Sequence, residues 1–550
     1  MDIKKSILMG SAVCAMALCG ACSDDSSSGA SDETVESSDS SATETSSDGT
    51  SSATSSATAT SSSSVDETVT TMAITEIMYN APDASELEWV EVTIASGPDI
   101  SSMLASNLHL DGAVSFTFPD EALTKGEYIV VTNNVDLFNS TYPDFSGRLF
   151  GPWDIDASTN AVAKLSNEGD VIDVKLTGEG DISAAFSNEP PWPSLANGKG
   201  RTLVYKGGNA AQANSWGASK ILKGNPGVGN DEWLETSNVR LNEIMPSGTG
   251  KDAWVELYNA GSDDVDVTGW TFESKLRKET LTIASGVVPA KGYLVLDAKT
   301  GFDKELVVSP IGGSYYLYGN TDGDESSLLL PSSELSSGVV DLSDGSTAQG
   351  ALKEATKGEA NAPLYIGSVV INEIHYHPNE QDLNQVEFLE LKNTGTESIN
   401  LYVSLTGASK GWKVEGINFE FASTDVLPAG GLAVLFPDSL KAALGADKLR
   451  TRFSISDDVL IGFYQGKLSN RGEMIAVKKP YYYQEDFTNP SASQFYYDWS
   501  DATLYSDNWN GAGIDYKRAD GYGYSLQRKD YTTMGYDASA WIVGEPTPGK

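Results

Sequence analysis

The sequence predicts an all-β protein with three tandem β-sandwich domains that follow a disordered tether rich in Ser, Thr and acidic residues. From residue 71 onward, short runs of Val, Ile, Leu, Tyr and Trp alternate with Gly, Asn, Asp and Pro clusters at intervals of about ten residues. Helical periodicity is almost absent, except in one short segment at 439–450 that Asp438 or Ser439 would cap. One set of motifs also recurs three times along the chain.

The first 21 residues have the features of a secretion signal. Lys4 and Lys5 precede an apolar run that is too short to span a bilayer, and small residues lead to a cysteine. The ending CGAC resembles the bacterial lipoprotein signal, in which the cysteine after two small residues carries the lipid. We therefore predict a signal peptide at 1–21 and a lipid anchor at Cys22, with an ordinary cleaved signal as the alternative. The resemblance implies an outer-membrane lipoprotein that faces either the cell surface or the periplasm.

Residues 22–70 are predicted to form the disordered tether. Positions 23–70 contain no Lys, Arg or aromatic residue, so they cannot bury enough apolar surface to offset their ordering entropy. The whole chain has a net charge of −40, which argues against a protein that grips nucleic-acid phosphates, and we expect no nucleic-acid partner. The three cysteines, Cys14, Cys19 and Cys22, all lie near the N-terminus, so a chain that starts at a lipidated Cys22 has no disulfide.

Three segments share the same order of motifs, and we call them repeats 1, 2 and 3. Their predicted bounds are 71–230, 231–363 and 364–550. Each opens with a strand that contains one glutamate, followed by a second strand in which glutamates alternate with apolar residues. The opening strands read ITEIMYNAP at 74–82, LNEIMPSG at 241–248 and INEIHYHP at 371–378. The second strands read EWVEV at 88–92, AWVELYN at 253–259 and EFLELKN at 387–393.

Together with the L-S-N-x-G segments at 165–169 and 468–472 and the closing W-x-x-x-x-x-T-P-G of repeat 3, these motifs resemble the lamin-tail domain. That family is an immunoglobulin-like sandwich, found in nuclear lamins and as modules in secreted and surface proteins of bacteria. The chain has no coiled-coil heptads, so the lamin filament role is not implied. The resemblance implies a non-catalytic envelope protein that displays three such domains for binding, adhesion or scaffolding, with other envelope proteins among its partners.

Candidate catalytic or metal-ligating residues are few, because the chain has three histidines. It contains no P-loop or H-E-x-x-H pattern. Glu373, His375 and His377 alternate along one strand and share a face, and with Glu387 or Glu390 they would supply a metal site of a hydrolase. The competing interpretation, which we favour, is that Glu373 and Glu390 occupy positions filled by glutamate in every repeat and serve the fold.

The recurring glutamates form three pairs that allow two interpretations: Glu76 with Glu91, Glu243 with Glu256, and Glu373 with Glu390. They could bind Ca²⁺, which prefers carboxylate oxygen. They could instead be outward-facing residues that accept hydrogen bonds from loop backbone, which is the interpretation we favour because all three repeats use the same pair. We therefore expect no cofactor, with Ca²⁺ as the alternative.

Aromatic residues are concentrated near the C-terminus, with 13 between Tyr481 and Tyr524. Exposed rings can stack on sugars, so a polysaccharide-binding surface protein is the second predicted function, with Tyr482, Tyr483 and Tyr496 as contact residues. The alternative is an insertion that buries its own rings.

Overall fold

The structure is a computed structural model, and it describes the chain from residue 70 onward with several gaps. The gaps are 82–86, 102–106, 157–160, 177–181, 230–231, 249–251, 322, 324, 344, 380–384, 406–407, 471, 485–492 and 507–517. The predicted signal peptide, the lipid anchor at Cys22 and residues 22–69 of the tether lie outside the described residues.

Repeat 1 consists of two sheets that enclose a hydrophobic core. The large sheet has the order β12-β11-β1-β2-β5-β6, in which β6 lies parallel to β5, and the small sheet has the order β10-β9-β3-β4. A pair, β7 and β8, stands apart. The strands are β1 Thr71–Met78, β2 Trp89–Ser96, β3 Leu108–Gly112, β4 Phe116–Thr117, β5 Tyr128–Thr132, β6 Arg148–Phe150, β7 Ile155–Asp156, β8 Ala161–Val162, β9 Gly169–Leu176, β10 Ile182–Ser187, β11 Leu203–Tyr205 and β12 Trp216–Ala218.

Repeat 2 has the same two-sheet plan around its own core, but its large sheet has five strands. The orders are β19-β14-β13-β22-β23 and β17-β16-β20-β21, with β15 and β18 as a separate pair. The strands are β13 Val239–Met245, β14 Trp254–Asn259, β15 Val265–Asp266, β16 Thr271–Ser274, β17 Glu279–Thr282, β18 Val287–Val288, β19 Tyr293–Asp297, β20 Gly313–Tyr318, β21 Glu325–Leu330, β22 Ser337–Asp341 and β23 Thr347–Ala351.

Repeat 3 returns to a six-stranded large sheet, ordered β33-β32-β25-β24-β36-β37, in which β33 lies parallel to β32. The small sheet has the order β30-β29-β34-β35, and two short pairs, β26 with β31 and β27 with β28, accompany it. The strands are β24 Val369–His375, β25 Phe388–Asn393, β26 Ile399–Asn400, β27 Tyr402–Leu405, β28 Ala408–Gly411, β29 Lys413–Glu415, β30 Phe419–Glu420, β31 Val426–Leu427, β32 Leu432–Pro437, β33 Leu460–Tyr464, β34 Gly472–Gln484, β35 Ser493–Ser506, β36 Ser525–Arg528 and β37 Trp541–Gly544.

A β-bulge switches the alternation of side chains in the first strand of every repeat. In repeat 3, Val369 and Ile371 point into the core, the register shifts after Ile371, and Ile374 points into the core again. The same shift follows Ile74 in repeat 1 and Leu241 in repeat 2. Because successive side chains point to opposite faces, each bulge places the next glutamate on the outer face of the large sheet.

Short helices cover part of that outer face in repeats 1 and 3. The helices are α1 Val135–Thr141, α2 Asp438–Ala443 and α3 Gly445–Phe453. The prediction of a helix near 439–450 is confirmed, but Pro437 precedes it and no side chain caps it. The sequence did not predict α1, which begins after Asn134, whose side-chain oxygen accepts a hydrogen bond from Leu137 N–H at 3.1 Å.

Specific contacts join consecutive repeats. The Glu189 carboxylate of repeat 1 lies 2.5 Å from Lys275 Nζ of repeat 2. Ser194 N–H, also in repeat 1, donates to Glu325 Oε1 of repeat 2 at 2.6 Å. Between repeats 2 and 3 the contact is apolar, because Leu352 and Met534 belong to one buried cluster.

The predicted fold class is confirmed: the described residues form an all-β chain of three tandem immunoglobulin-like sandwiches. Among them, no helix has the length and apolar character needed to cross a membrane.

Candidate functional site

The recurring glutamates are buried side by side on the outer face of each large sheet. Each pair is in direct cross-strand register, and none of the six side chains is more than 1% exposed. The pairs are Glu76 with Glu91, Glu243 with Glu256, and Glu373 with Glu390. Two neighbouring buried carboxylates are costly unless hydrogen-bond donors surround them, so their partners explain the site.

The first set of donors comes from the bulges. In every repeat, the residue before the first glutamate donates a side-chain hydrogen bond to the second glutamate of the pair. The donor atoms are Thr75 Oγ1 at 2.8 Å, Asn242 Nδ2 at 2.9 Å and Asn372 Nδ2 at 2.5 Å. The bulge therefore turns the Asn of the N-E-I motif, or the Thr of T-E-I, toward the acidic pair.

The second set of donors comes from the segment by which the chain leaves each repeat. These segments are Asn225–Gly227, Thr356–Gly358 and Thr547–Gly549. The first residue of each donates its backbone N–H to the first glutamate, at 3.3 Å, 3.1 Å and 2.8 Å respectively. The glycine at the end of each donates its backbone N–H to the second glutamate. We call this arrangement of a glutamate pair and an exit segment the exit clamp.

The final glycine of the exit clamp has a backbone conformation that suits glycine. The φ angles of Gly227, Gly358 and Gly549 are 83°, 84° and 76°, in the left-handed region that other residues adopt at a cost. This geometry turns each glycine N–H back onto the sheet. The expectation that the glutamates face outward from the sheet and accept hydrogen bonds from loop backbone is confirmed. The exit segment then covers them, so they are buried.

Two further acidic residues, the buried Glu88 and the half-buried Glu387, hold the L-S-N loops of repeats 1 and 3. Glu88 accepts a hydrogen bond from Leu165 N–H at 2.8 Å, and Glu387 accepts one from Leu468 N–H at 2.7 Å. Glu387 also accepts a short hydrogen bond from the Tyr464 hydroxyl. Repeat 2 has Ala253 at the corresponding position, and it also lacks the L-S-N motif.

Burial raises the pKa of several of these carboxyl groups, because the charged form loses hydration. The pKa is raised to about 8 for Glu76 and to about 7 for Glu88, Glu387 and Glu390. For Glu243 and Glu256 the pKa is also raised by burial. The folded protein therefore holds protons on these groups at a pH where the unfolded chain has released them.

This shift predicts that the protein is more stable in mildly acidic solution than in alkaline solution. A raised folded-state pKa contributes stability that is fully present below the unfolded pKa of about 4.5 and is lost as the pH rises through about 7 to 8. We expect the thermal unfolding midpoint of the full chain to be higher at about pH 5.5 than at about pH 8.5.

The chain also carries less negative charge at acidic pH, and the weaker self-repulsion would raise the thermal unfolding midpoint too. A variant is therefore needed to separate the effect of the buried carboxyl groups. Glu390→Gln removes one group that titrates and leaves an acceptor for Gly549 N–H. Its unfolding transition should therefore depend less on pH than that of the wild type. Burial lowers the pKa of His375 to about 4, so this group makes the protein more stable as the pH rises. It is a single group, whereas several glutamates have a raised pKa. A midpoint that rises from pH 5.5 to 8.5 would contradict the prediction.

The predicted metal ligands do not converge on one point. Glu373 and Glu390 face the exit segment, whereas His375 Nδ1 lies 2.8 Å from the Val386 carbonyl oxygen and its ring packs on Phe388. His377 Nδ1 lies 2.6 Å from Asp520 Oδ1.

Within the described part of the chain, no group of three or more His, Cys, Asp or Glu side chains could hold a metal ion. The structure therefore does not assemble the site of Glu373, His375, His377 and Glu390. Glu373 and His375 alternate along β24, but His377 lies beyond the end of that strand. The exit segment holds the glutamates, whereas His375 and His377 contact Val386 and Asp520.

The aromatic segment forms a long hairpin of β34 and β35 that extends beyond the sandwich. Tyr482 is 39% exposed and lies opposite Phe495, with the ring centres 5.3 Å apart. Tyr496 is half-buried and lies opposite Tyr481, so it faces the other side of the hairpin. Tyr483 belongs to β34, but its side chain lies outside the described part of the structure.

Residues 234–347 match the family model described as the Lamin Tail Domain. The match falls on repeat 2, the repeat in which the sequence motifs are least complete. Repeat 2 therefore contains a lamin-tail-like domain, as the resemblance implied. Comparisons with curated proteins and with solved structures found no match.

Sequence reasoning found the glutamates but missed the residues that hold them. The exit segments are distant in sequence, since Gly549 and Glu390 are 159 residues apart. The available signal was that N-P-G, T-K-G and T-P-G each end a repeat. Only the fold shows that these endings lie over the acidic pairs.

Proposed function

We propose that the protein is a non-catalytic, lipid-anchored envelope protein that displays three lamin-tail-like domains for binding, adhesion or scaffolding. The observation that carries this proposal is the exit clamp, which recurs in all three repeats. The recurring glutamates would otherwise be the strongest candidates for catalysis or metal binding. In the exit clamp, their side chains accept internal hydrogen bonds instead. A fold of this type more commonly serves as a binding or scaffolding module than as an enzyme.

The exit clamp also supports the extension of the lamin-tail assignment from repeat 2 to its neighbours. All three repeats share the bulge, the cross-strand glutamate pair and the glycine with positive φ. The same combination of backbone irregularity and buried acidic pair therefore defines all three repeats. Repeats 1 and 3 are therefore members of the same structural family in this proposal.

The contacts between consecutive repeats support a scaffolding role. Glu189 is bonded to Lys275 and to Ser314, so one carboxylate of repeat 1 holds two residues of repeat 2. Asp537 of repeat 3 accepts a hydrogen bond from Ser343 N–H of repeat 2 at 3.0 Å. Domains joined in this way present their surfaces in a defined order, which suits a display function.

The lipid anchor is tested by metabolic labelling with an alkyne fatty acid in the cells that make the protein. We expect the wild type to take up the label, Cys22→Ala to lose it and the matched control Cys19→Ala to retain it. Cys22→Ala protein that still carries the label, or wild-type protein without it, would refute the anchor. Protease treatment of intact cells then separates the surface from the periplasmic orientation.

Polysaccharide binding is the second candidate function, and the exposed Tyr482 next to Phe495 favours it. Exposed aromatic rings on a protruding hairpin offer flat apolar surfaces for sugar rings. In pull-downs with insoluble cellulose and chitin, we expect retention of the wild type and loss of retention for Tyr482→Ala and Tyr496→Ala. Tyr522→Ala is the matched control, because Tyr522 is 71% exposed and lies outside the hairpin. Equal retention of all four proteins would remove this function.

The calcium hypothesis remains a proposal for repeat 1, where Glu76 Oε2 is buried and has no hydrogen-bond partner among the described residues. A bound Ca²⁺ would raise the unfolding midpoint, and the rise would grow with the logarithm of the free Ca²⁺ concentration above the dissociation constant. Addition of Ca²⁺ to the chelator-treated full chain, with Glu76→Gln as the control, distinguishes a cation site from a purely structural pair.

A further inference from the structure

The large sheet of repeat 2 ends in an exposed edge strand. In repeats 1 and 3, a further strand covers the equivalent edge. In repeats 1 and 3, the edge strands β5 and β32 pair on their far side with a parallel strand, β6 or β33. The corresponding strand of repeat 2 is β19, and among the described residues it pairs with β14 alone. The same position in the fold is therefore occupied in two repeats and open in the third.

The outer backbone groups of β19 point away from its neighbour. Ala298 N–H donates to the Ala253 carbonyl at 3.2 Å, which sets the phase of the ladder between the two strands. Because hydrogen-bonded pairs alternate in an antiparallel ladder, the N–H and C=O groups of Tyr293 and Val295 point away from β14. These groups form a row of donors and acceptors that an added strand would match.

The side chains of β19 also show that a covering element is missing. Leu294 and Val295 are only half-buried. Their counterparts in the other repeats are fully buried, with 0% exposure for Ile129 and Val130 in repeat 1 and for Ala433 and Val434 in repeat 3. The difference follows because the described residues of repeat 2 form neither a sixth strand of this sheet nor a helix that covers it.

The strand lacks the features by which proteins protect exposed edges. Its sequence, YLVLD, has no proline, no lysine and a single charge, at its last position. Exposed edges of this kind pair readily with another chain unless proline, lysine or a bulge prevents it. An apolar edge of five residues without such protection is suited to β-strand addition.

We propose that β19 is a docking site for an extended segment of a partner protein, which binds parallel to β19 as the sixth strand of the sheet. The chemistry of this segment follows from β33, the strand that fills the same edge in repeat 3. The partner segment is therefore an apolar run without proline. When it is bound, one of its side chains covers Leu294 of β19. The inference depends on repeat 2 alone and requires neither the lipid anchor nor the polysaccharide function.

The test uses the full chain and a labelled synthetic peptide of residues 459–465, VLIGFYQ, which contains β33. Fluorescence anisotropy should show saturable binding. Val295→Pro should weaken it at least about ten-fold, because proline removes an N–H that faces the partner. Val295→Thr keeps that N–H and a β-branched side chain, so it should bind as the wild type does.

Two further peptides keep the test valid if Val295→Pro does not fold. Each is N-methylated at alternate residues, in one of the two possible phases. The phase whose amides face β19 should lose binding, whereas the other phase should retain it. The proposal is overturned if both phases bind like the unmodified peptide, or if no saturable binding occurs up to about 1 mM. It is equally overturned if light scattering shows a dimer that Val295→Pro dissociates, because a second copy of the chain would then occupy the edge.

Discussion

Deletion of residues 545–550 is expected to destabilise repeat 3 by about 3–6 kcal/mol, because two hydrogen bonds to acidic side chains are lost, although the deleted segment follows the last strand. The segment supplies Thr547 N–H to Glu373 at 2.8 Å and Gly549 N–H to Glu390 at 2.6 Å. Without it, two adjacent carboxylates remain in the sheet without these donors. A cost of this size should abolish the cooperative unfolding of repeat 3 or shift it to a much lower denaturant concentration, as measured by circular dichroism in urea.

Two controls separate this mechanism from a general effect of truncation. Deletion of Lys550 alone leaves both donors in place and should have little effect. In the chain without 545–550, Glu390→Gln should restore part of the lost stability, because an amide costs less to bury than a carboxylate. If the truncated chain unfolds like the wild type, or if Glu390→Gln destabilises it further, the exit clamp does not act as inferred.

The fold class could be predicted from the sequence because it depends on local patterns. Alternating apolar residues, turn residues and a triple recurrence of motifs are properties of short segments, and the sandwich follows from them. The glutamates were also found, because Glu76, Glu243 and Glu373 occupy equivalent positions in the three copies. Recurrence identifies the positions that matter in every copy.

The hydrogen-bond donors to these glutamates could not be predicted, because they come from segments that only the folded chain brings close. A strand pattern gives a side chain's face relative to its neighbours, but a bulge reverses the face, and the sequence does not mark the bulge after Ile371. The predicted metal ligands do not meet for a separate reason: His375 and His377 each contact a different loop. Helix α1 was missed because its seven residues are too few to show a period.

The exit clamp gives a physical reason why these domains can be built without disulfides. Each clamp connects the first two strands of a repeat to its last residues, so a long loop closes on hydrogen bonds between carboxylates and backbone N–H groups. Burial of the glutamates has a desolvation cost, which is visible in the raised pKa of Glu76 and Glu390. In return, the hydrogen bonds of the exit clamp fix where the chain leaves each domain.

Replacement of Arg528 by Met is expected to destabilise repeat 3 by about 3–5 kcal/mol, because it leaves a buried aspartate without its counter-charge. Arg528 Nη1 lies 3.2 Å from Asp501 Oδ2, and both side chains are 0% exposed. The guanidinium also donates to the carbonyl oxygens of Asp530 and Thr533 and lies 5.1 Å from the centre of the Trp541 ring. One side chain therefore connects β35, β37 and the loop between β36 and β37.

The effect of Arg528→Met should depend on pH in a defined direction. Burial already raises the pKa of Asp501, and the loss of the arginine raises it further. A raised carboxyl pKa contributes stability at low pH that is lost as the pH rises, so the variant should be closer to the wild type at about pH 5.5 than at about pH 8.5. Chemical unfolding at the two pH values measures this difference.

A double-mutant cycle completes the test. Asp501→Asn in the Arg528→Met background should recover stability, because the amide retains an acceptor for Ile371 N–H and carries no charge. Lys299→Met is the matched control for an exposed ion pair, since Lys299 and Asp252 are 64% and 76% exposed, and it should leave the unfolding midpoint almost unchanged. Strictly additive effects of the two substitutions, or equal effects of Arg528→Met and Lys299→Met, would show that the buried pair does not hold repeat 3 together.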